Sequence, residues 1–186
     1  GYRLLSLDGR RLSKDKDIYV DLSSIAKGYG VDVVAKVLEA QGVDSYLVEV
    51  GGEIVSKGMK ADGSPWRIAI ESPAGGHDIA ERVIAITNVA VATSGDYRNY
   101  FEKNGVRYSH TISPVTGKPI THKLVSVTVV EKTTTMADGL ATAITVLGPD
   151  KGLEFAQKNG IAAYLLVKTD FGFEERSSDA FKPYLN

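Results

Sequence analysis

Cysteine is missing from this chain, and its absence removes several classes of site at once. None of the 186 residues is cysteine, so disulfide bridges, zinc–thiolate centres and thiol nucleophiles are excluded. No apolar run approaches the length of a membrane span, and the sequence shows no signal peptide. The formal net charge of −1 lacks the basic excess of nucleic-acid-binding proteins, so we expect no nucleic-acid partner.

Several familiar catalytic and nucleotide-binding motifs are also missing. The sequence has no GxGxxG after a strand, no GxxxxGK[ST] phosphate loop, no GxSxG nucleophile motif and no HExxH metal helix. The length is enough for one substantial domain or two small ones. Because the chain starts directly in a strand-like segment, we expect that it begins inside a larger protein.

Strand-like segments dominate the middle of the chain, and helical segments flank them. Single strands are predicted at 17–22, 46–50, 66–71, 82–87, 89–93, 124–130 and 161–168. Hairpins are predicted at 2–11, with Asp8-Gly9 in the turn, and at 98–109, with Asn104-Gly105 in the turn. Since no regular β-α-β alternation occurs, this order predicts an α+β fold: a mixed, largely antiparallel sheet with flanking helices.

Three helices are predicted, at 24–41, 135–147 and 150–158. The first follows the capping residues Asp21, Ser23 and Ser24, and Gly42 ends it. Its predicted apolar stripe comprises Ile25, Tyr29, Val33, Val37 and Leu38.

The second predicted helix carries a carboxylate and a hydroxyl in a run of small residues. Asp138 and Thr142 are four positions apart, so they share one face of a helix. Together with nearby backbone oxygens, they can offer hard oxygen ligands to Mg²⁺. The structural alternative is that Asp138 stabilises the positive helix end and the small residues only allow close packing.

A second candidate site lies where a predicted strand enters the first helix. Backbone N–H groups at a helix start are unpaired and attract phosphate. There Asp21 is suited to bond a ribose or a base, and Lys27 is suited to meet a phosphate. The alternative is that Asp21 is only a helix cap and Lys27 is solvated.

Two further segments are weaker candidates on residue chemistry. Gly51-Gly52 ends a strand, and a tight turn or a bulge is the favoured interpretation. His110 lies in a loop, where it is either a general base near neutral pH or a structural histidine. We interpret His77 and His122 as ordinary surface residues. The residues alone therefore predict an α+β domain that binds Mg²⁺ and a phosphorylated ligand.

Five segments together resemble one known family. Their order and spacing look like those of the ApbE family of FAD:protein FMN transferases, formerly described as thiamine biosynthesis lipoproteins. The segments are 21–29, 46–53, 92–99, 108–120 and 137–143. The resemblance extends from about residue 17 to 168. It implies that 1–186 is an ApbE-like flavin transferase domain, the carboxy-terminal portion of the family's longer chain. The amino-terminal part, which supplies further flavin contacts, is absent.

The resemblance implies a specific reaction and setting. Family members use Mg²⁺ to cleave FAD, attach FMN through a phosphoester to a threonine of a target protein, and release AMP. The alternatives are an FAD pyrophosphatase that yields FMN and AMP, or a non-catalytic flavin-binding protein. The implied acceptors are flavinylated subunits of the Na⁺-translocating NADH:quinone reductase or of Rnf/Rsx-type complexes. The implied location is the periplasmic face of the inner membrane, with a lipid anchor.

The family's site positions also transfer to this sequence. The implied metal ligands are Ser24, Asp138, Ala141 and Thr142, where Ser24 and Ala141 contribute backbone oxygens. The implied FAD contacts are Asp21, Lys27 and Ile112. His110 matches the base that deprotonates the acceptor threonine. One departure follows it, because Ser113-Pro114 stands where many members have Asp-Pro.

Overall fold

The computed structural model describes residues 2–71, 80–95, 100–103 and 106–185. Its helices are α1 (Ser23–Ala40), α2 (Thr134–Leu147) and α3 (Pro149–Lys158), with short 3₁₀ segments at Tyr2–Leu4 and Asp179–Leu185. The strands, in chain order, are β1 (Leu5–Asp8), β2 (Arg11–Lys14), β3 (Tyr46–Val50), β4 (Glu53–Lys57), β5 (Trp66–Glu71), β6 (Ala80–Ile86), β7 (Ala90–Gly95), β8 (Tyr100–Lys103), β9 (Val106–Ser109), β10 (Leu124–Glu131), β11 (Ala162–Thr169) and β12 (Gly172–Ser177).

One six-stranded sheet organises the fold, in the order β12-β11-β10-β7-β4-β3. Each neighbouring pair in it is antiparallel. Three hairpins, β1–β2, β5–β6 and β8–β9, form separate two-stranded sheets. The α+β prediction with an antiparallel sheet and flanking helices is therefore confirmed.

The two faces of the sheet bury different layers. Along β10, Val127 and Val129 point to one face, where Ile144 of α2 belongs to the same buried cluster. Val130 points to the other face, where the cluster includes Ile84 of β6 and Phe181. This alternation is the period-2 pattern of a strand that is covered on both sides. The result is a layer of helices on one face and the β5–β6 hairpin on the other.

Local sequence signals explain the helix boundaries. Gly42 takes a φ of +77° just after α1, a backbone conformation that favours glycine and ends the helix as predicted. Gly148, with a φ of +83°, stands at the end of α2, and Pro149 begins α3. None of the helices within the described ranges has the length and apolarity needed to cross a bilayer.

The predicted apolar stripe of α1 is wrong. Three of its members are exposed, namely Tyr29, Val33 and Val37. The buried positions of the helix are instead Gly28, Val31 and Ala35. The reason is a close approach to α2: a Cβ at Gly28 would lie 2.4 Å from the Thr134 carbonyl oxygen. Small residues therefore define the packed face, and several apolar side chains are left outside.

Some other predictions also differ from the structure. Residues 17–22 join no sheet ladder, while β4 and β12 were not predicted. The first hairpin pairs Leu5–Asp8 with Arg11–Lys14, further along the chain than expected. The second hairpin is confirmed in its described part, β8–β9. His77, which was predicted to lie at the surface, and the predicted turn at 104–105 lie outside the described residues.

His122 is not the surface residue that the sequence suggests. It is half-buried, and its Nδ1 accepts a hydrogen bond from the Leu124 N–H over 3.3 Å. A Cβ at Gly148 would come within 2.9 Å of its Cδ2. The imidazole therefore packs against the junction between α2 and α3, which makes it part of the structural framework.

Candidate functional site

A cleft of about 1120 Å³ opens between the helices, the β3–β4 turn, β5 and the loop after β9. Apart from Ala141, every predicted site residue lines it: Asp21, Ser24, Lys27, His110, Ile112, Asp138 and Thr142. These residues come from distant parts of the chain. The fold thus brings the metal, FAD and base positions implied by the family resemblance into one cleft.

The crossing of α1 and α2 fixes Asp138. The Gly28 N–H donates to Asp138 Oδ2 over 3.0 Å, and this bond is buried. A side chain at Gly28 would also meet the Asp138 Cβ, at 2.9 Å. Asp138 is 6% exposed, and its burial raises the pKa of the carboxyl, against the Gly28 hydrogen bond and the Lys27 charge. A buried carboxylate beside an open cleft is suited to bind a cation.

Asp32 of α1 holds the first turn of α2. Its Oδ1 accepts from the Thr134 N–H at 2.8 Å, and its Oδ2 accepts from the Thr135 N–H at 2.9 Å. Thr133 is the N-cap, and its hydroxyl oxygen accepts from the Met136 N–H at 3.3 Å. These bonds satisfy N–H groups that have no partner within the helix. The helix that carries Asp138 and Thr142 is therefore anchored at its start.

Thr142 and Ala141 face different surroundings. Thr142 is half-buried and lines the cleft one turn after Asp138, as the spacing predicts. Ala141 is 1% exposed and packs in the core between α2 and the sheet. Its carbonyl accepts a hydrogen bond from the Thr145 hydroxyl at 2.8 Å. Ala141 as a metal ligand stays a prediction.

Just before α1, Asp21 bonds the first residue of the helix through its side chain. Its Oδ1 accepts from the Ser23 N–H at 2.8 Å and from the Ser23 hydroxyl at 2.6 Å. Hydrogen bonds from the Ser23 hydroxyl and N–H lower the pKa of Asp21. The prediction that Asp21, Ser23 or Ser24 caps the helix is wrong, because the N-cap position is Leu22 and has no side-chain cap bond. Asp21 instead bonds the first helical residue from one position before the cap, and it lines the cleft. Its Oδ1 is engaged, so a ligand would meet a carboxylate that is already oriented.

Lys27 reaches from α1 to the β3–β4 turn. Its ammonium donates to Glu53 Oε1 over 2.6 Å and lies 3.5 Å from the Gly51 carbonyl oxygen. The turn is tight, because Gly51 and Gly52 take φ values of +63° and +97° between paired strands. The tight-turn interpretation of these glycines is confirmed. The alternative in which Lys27 is simply solvated is wrong, because it pairs with a buried carboxylate.

His110 and Ile112 enter the cleft from the segment after β9. Ser109 is buried, and its hydroxyl oxygen accepts from the Thr111 N–H at 3.0 Å, which sets the chain direction at His110. Ile112 is 51% exposed and forms an isolated bridge with Pro119. His110 is exposed and accessible from the cleft. Its role as a base stays a prediction.

Acidic side chains outnumber basic ones among the described residues that line the cleft. The carboxylates are Asp21, Glu49, Glu53, Glu71 and Asp138, and the cationic side chains are Lys27 and Arg67. No group of three His, Asp or Glu side chains with metal-binding proximity occurs in the described part of the chain. A cation here would therefore need mixed oxygen ligands, from a carboxylate, a hydroxyl and backbone carbonyls.

Sequence reasoning missed four of these charged lining residues as site candidates, namely Glu49, Glu53, Arg67 and Glu71. Arg67 and Glu71 alternate along β5 with the buried Ile68 and Ile70, a period-2 pattern that would have placed them together on the other face. Glu53 had no such signal, because its burial depends on how α1 packs beside the turn.

Comparison with known proteins gives consistent relationships. A model of the ApbE family matches residues 1–165. The FAD:protein FMN transferase of Vibrio cholerae serotype O1 is 53% identical over 187 residues, which cover 100% of this chain and 56% of that protein. The protein of the same name from Haemophilus influenzae is 55% identical over 166 residues, 89% of this chain and 48% of its own length.

Solved structures agree with this relationship. The apo crystal structure of the Pseudomonas stutzeri flavinyl transferase ApbE superposes with a TM-score of 0.89 at 51% identity, covering 100% of this chain and 57% of that one. The structure of the flavin transferase ApbE from Vibrio cholerae superposes with a TM-score of 0.90 at 51% identity, covering 100% of this chain and 59% of that one. The chain thus spans about half the length of the curated relatives it matches. By sequence and by fold, it belongs to the ApbE family.

Proposed function

We propose that this chain carries the catalytic cleft of a Mg²⁺-dependent FAD:protein FMN transferase. The observation that carries the proposal is the buried bond between the Gly28 N–H and Asp138, which holds a carboxylate at the cleft beside Thr142. The FAD positions Asp21, Lys27 and Ile112 line the same cleft. Curated relatives named FAD:protein FMN transferase support this reaction.

The residues present fit a magnesium ion. Asp138 offers a carboxylate, Thr142 a hydroxyl and Ser24 a backbone carbonyl, all hard oxygen ligands of the kind Mg²⁺ prefers. The Gly28 N–H has one proton, so its bond to Asp138 competes with a helical bond to the Ser24 carbonyl four residues earlier. That competition leaves the Ser24 oxygen with capacity for a further partner. We assign Ala141 the same role through its backbone oxygen, on the resemblance alone.

The charge of the cleft supports a metal requirement. A pyrophosphate is an anion, and here it would enter a cleft with more carboxylates than cationic side chains. Repulsion would disfavour binding unless a cation accompanied the anion. When bound, Mg²⁺ supplies charge neutralisation for the phosphoryl oxygens and the leaving group.

Each of the chain's own site residues would then have a separate role in the transfer. Lys27 binds a phosphate of FAD, Asp21 bonds the nucleoside part, and Ile112 packs against the substrate. His110 accepts the proton of the acceptor threonine hydroxyl through an imidazole nitrogen. The threonine oxygen forms a bond to the FMN phosphorus, the pyrophosphate P–O bond breaks, and AMP leaves with the electron pair of that bond.

The test is incubation of this chain with FAD, Mg²⁺ and a peptide that carries an acceptor threonine, followed by mass spectrometry. An FMN-sized mass gain on threonine with release of AMP is expected, and chelation of the metal should abolish it. Free FMN with AMP would favour the pyrophosphatase alternative, in which water replaces threonine. Intact FAD that is bound but never cleaved would contradict catalysis and leave a flavin-binding protein.

The acceptor and the location are proposals that rest on the resemblance. We propose that the acceptors are flavinylated subunits of Na⁺-translocating NADH:quinone reductase or Rnf/Rsx-type complexes. We place the reaction on the periplasmic face of the inner membrane, with a lipid anchor in the longer chain. Deletion of the gene should remove covalent flavin fluorescence from these subunits, and fractionation of the cells should find the protein with the membrane.

A further inference from the structure

Glu53 is an unusual residue for the first position of a strand. The residue is 1% exposed, and Oε2 is buried without a hydrogen-bond partner among the described residues. Burial raises the pKa of Glu53, although the Lys27 ammonium opposes this effect. A buried carboxylate with an unsatisfied oxygen is costly, and a neutral side chain of similar size would avoid that cost. The position therefore needs an explanation beyond packing.

The interaction that distinguishes Glu53 is its pair with Lys27. The two residues are far apart in the sequence, and Lys27 Nζ lies 2.6 Å from Glu53 Oε1. Gly51 makes the approach possible, since a Cβ there would come within 3.3 Å of the Lys27 Cδ. The Lys27 side chain stays 50% exposed, so its ammonium is held from one side and faces the cleft on the other.

We propose that Glu53 is a positioning residue, which fixes the Lys27 ammonium where the pyrophosphate of the substrate is to bind. The proposal rests on the proposed function, because that function assigns Lys27 to a phosphate. A lysine stem has many rotamers, and a charged hydrogen bond to a buried partner limits them before the ligand arrives. The unfavourable burial of Glu53 is thereby offset, because the Lys27 ammonium is already in place when the ligand binds.

The sign of the effect separates positioning from simple electrostatics. A carboxylate that acted only through space would repel a phosphate, so its removal would tighten binding of an anion. If Glu53 acts by holding Lys27, its removal weakens binding instead. A purely structural role would lower binding whether or not Lys27 is present.

The experiment measures FAD binding at saturating Mg²⁺ for the wild type, Glu53→Gln, Lys27→Met and the double variant, with ADP as a second probe that lacks the flavin. Glu53→Gln should weaken binding about tenfold, the size expected when a charge-assisted hydrogen bond becomes a neutral one. In the Lys27→Met background, Glu53→Gln should cause no further loss of binding. Glu49→Gln is the matched control: Glu49 is an exposed carboxylate of the same cleft, and its removal should leave binding unchanged or slightly tighter.

A second readout does not depend on the ligand. Trace acetylation of the free protein, quantified by mass spectrometry, reports how accessible the Lys27 amine is, with the exposed Lys36 of the same helix as reference. Glu53→Gln should raise the labelling of Lys27 relative to Lys36. Glu53→Asp, which keeps the charge but shortens the side chain, should give an intermediate result and serves if the glutamine variant unfolds.

Three results would overturn the proposal: tighter binding by Glu53→Gln, an equal loss in the Lys27→Met background, or unchanged labelling of Lys27. If the wild type binds neither FAD nor ADP, the proposed function fails instead. The labelling comparison then decides by itself whether Glu53 fixes Lys27.

Discussion

The two walls of the cleft are built in different ways. On the helical wall, Asp138 is joined to the Gly28 backbone by a buried hydrogen bond at a close helix crossing. The opposite wall carries side chains such as Arg67 and Ile112, which project from a two-stranded hairpin and a bridged loop and are exposed. The proposed metal side is thus part of the core packing, whereas the other wall is a surface. Substitutions that change the packing of the first wall should therefore affect stability and function together, whereas substitutions on the second wall should affect function with little change in stability.

The largest effect is expected for Gly28→Ala. Its new Cβ would lie 2.4 Å from the Thr134 carbonyl oxygen, so α1 and α2 must separate. Overpacking of this kind costs about 1–3 kcal/mol of unfolding free energy, measured by denaturant titration. Gly30→Ala is the control on the same helix, because, apart from its chain neighbours and the helix's own backbone, no atom lies within 4 Å of its Cβ position. It should stabilise the protein by up to about 1 kcal/mol. Equal effects of the two substitutions would contradict the tight crossing.

Asp32→Asn should loosen the helical wall less severely. Burial acts to raise the pKa of Asp32, but hydrogen bonds from Thr135 and Thr134 outweigh it, and the pKa is lowered. A carboxylate with a depressed pKa stabilises the fold above its unfolded-state value of about 3.9, and this contribution is lost as the pH falls through the folded-state value.

At pH 7 the Asp32→Asn variant should lose about 1–2 kcal/mol, the size of a helix-cap effect. The difference from wild type should shrink below about pH 4. Asp44→Asn, at an exposed position, is the control. It should change neither the unfolding free energy at pH 7 nor the dependence of that free energy on pH. A difference that stays constant with pH would show that the charge of Asp32 does not stabilise α2.

Asp138→Asn should separate metal binding from stability within the helical wall. Burial raises the pKa of Asp138, so the folded state favours the protonated carboxyl. The stability that this protonated form contributes is lost as the pH rises through the folded-state pKa. A neutral amide of the same size should therefore leave the unfolding free energy within about 1 kcal/mol of wild type at pH 7. The rise in Tm on adding Mg²⁺ should disappear. A variant that keeps this rise would contradict the metal assignment.

Ile112→Ala, on the opposite wall, should have the smallest effect on stability. Because the side chain is 51% exposed, the unfolding free energy should change by no more than about 0.5 kcal/mol. FAD binding, followed by flavin fluorescence, should nevertheless weaken. Val115→Ala, which is 90% exposed on the same loop and outside the cleft lining, is the control. A loss of stability comparable to that of Gly28→Ala would remove the contrast between the walls.

Local patterns predicted what depends on local geometry. The ends of α1 and α2 follow from Gly42 and Gly148, and the shared face of Asp138 and Thr142 follows from their four-residue spacing. The apolar stripe of α1 was wrong because hydrophobicity alone does not reveal where two backbones approach closely. The pair between Lys27 and Glu53 was not predictable, since it depends on how a helix and a distant hairpin pack together. The family resemblance, rather than residue chemistry, indicated that these segments share one site.

The bond between Gly28 and Asp138 joins positions 110 residues apart in the sequence. Closing a loop of that length costs chain entropy before any contact offsets it, so such contacts form late in folding. A nascent chain that has emerged only as far as β9 holds Lys27 and Glu53 but has no metal-side carboxylate. The cleft is therefore complete only after α2 has docked against α1.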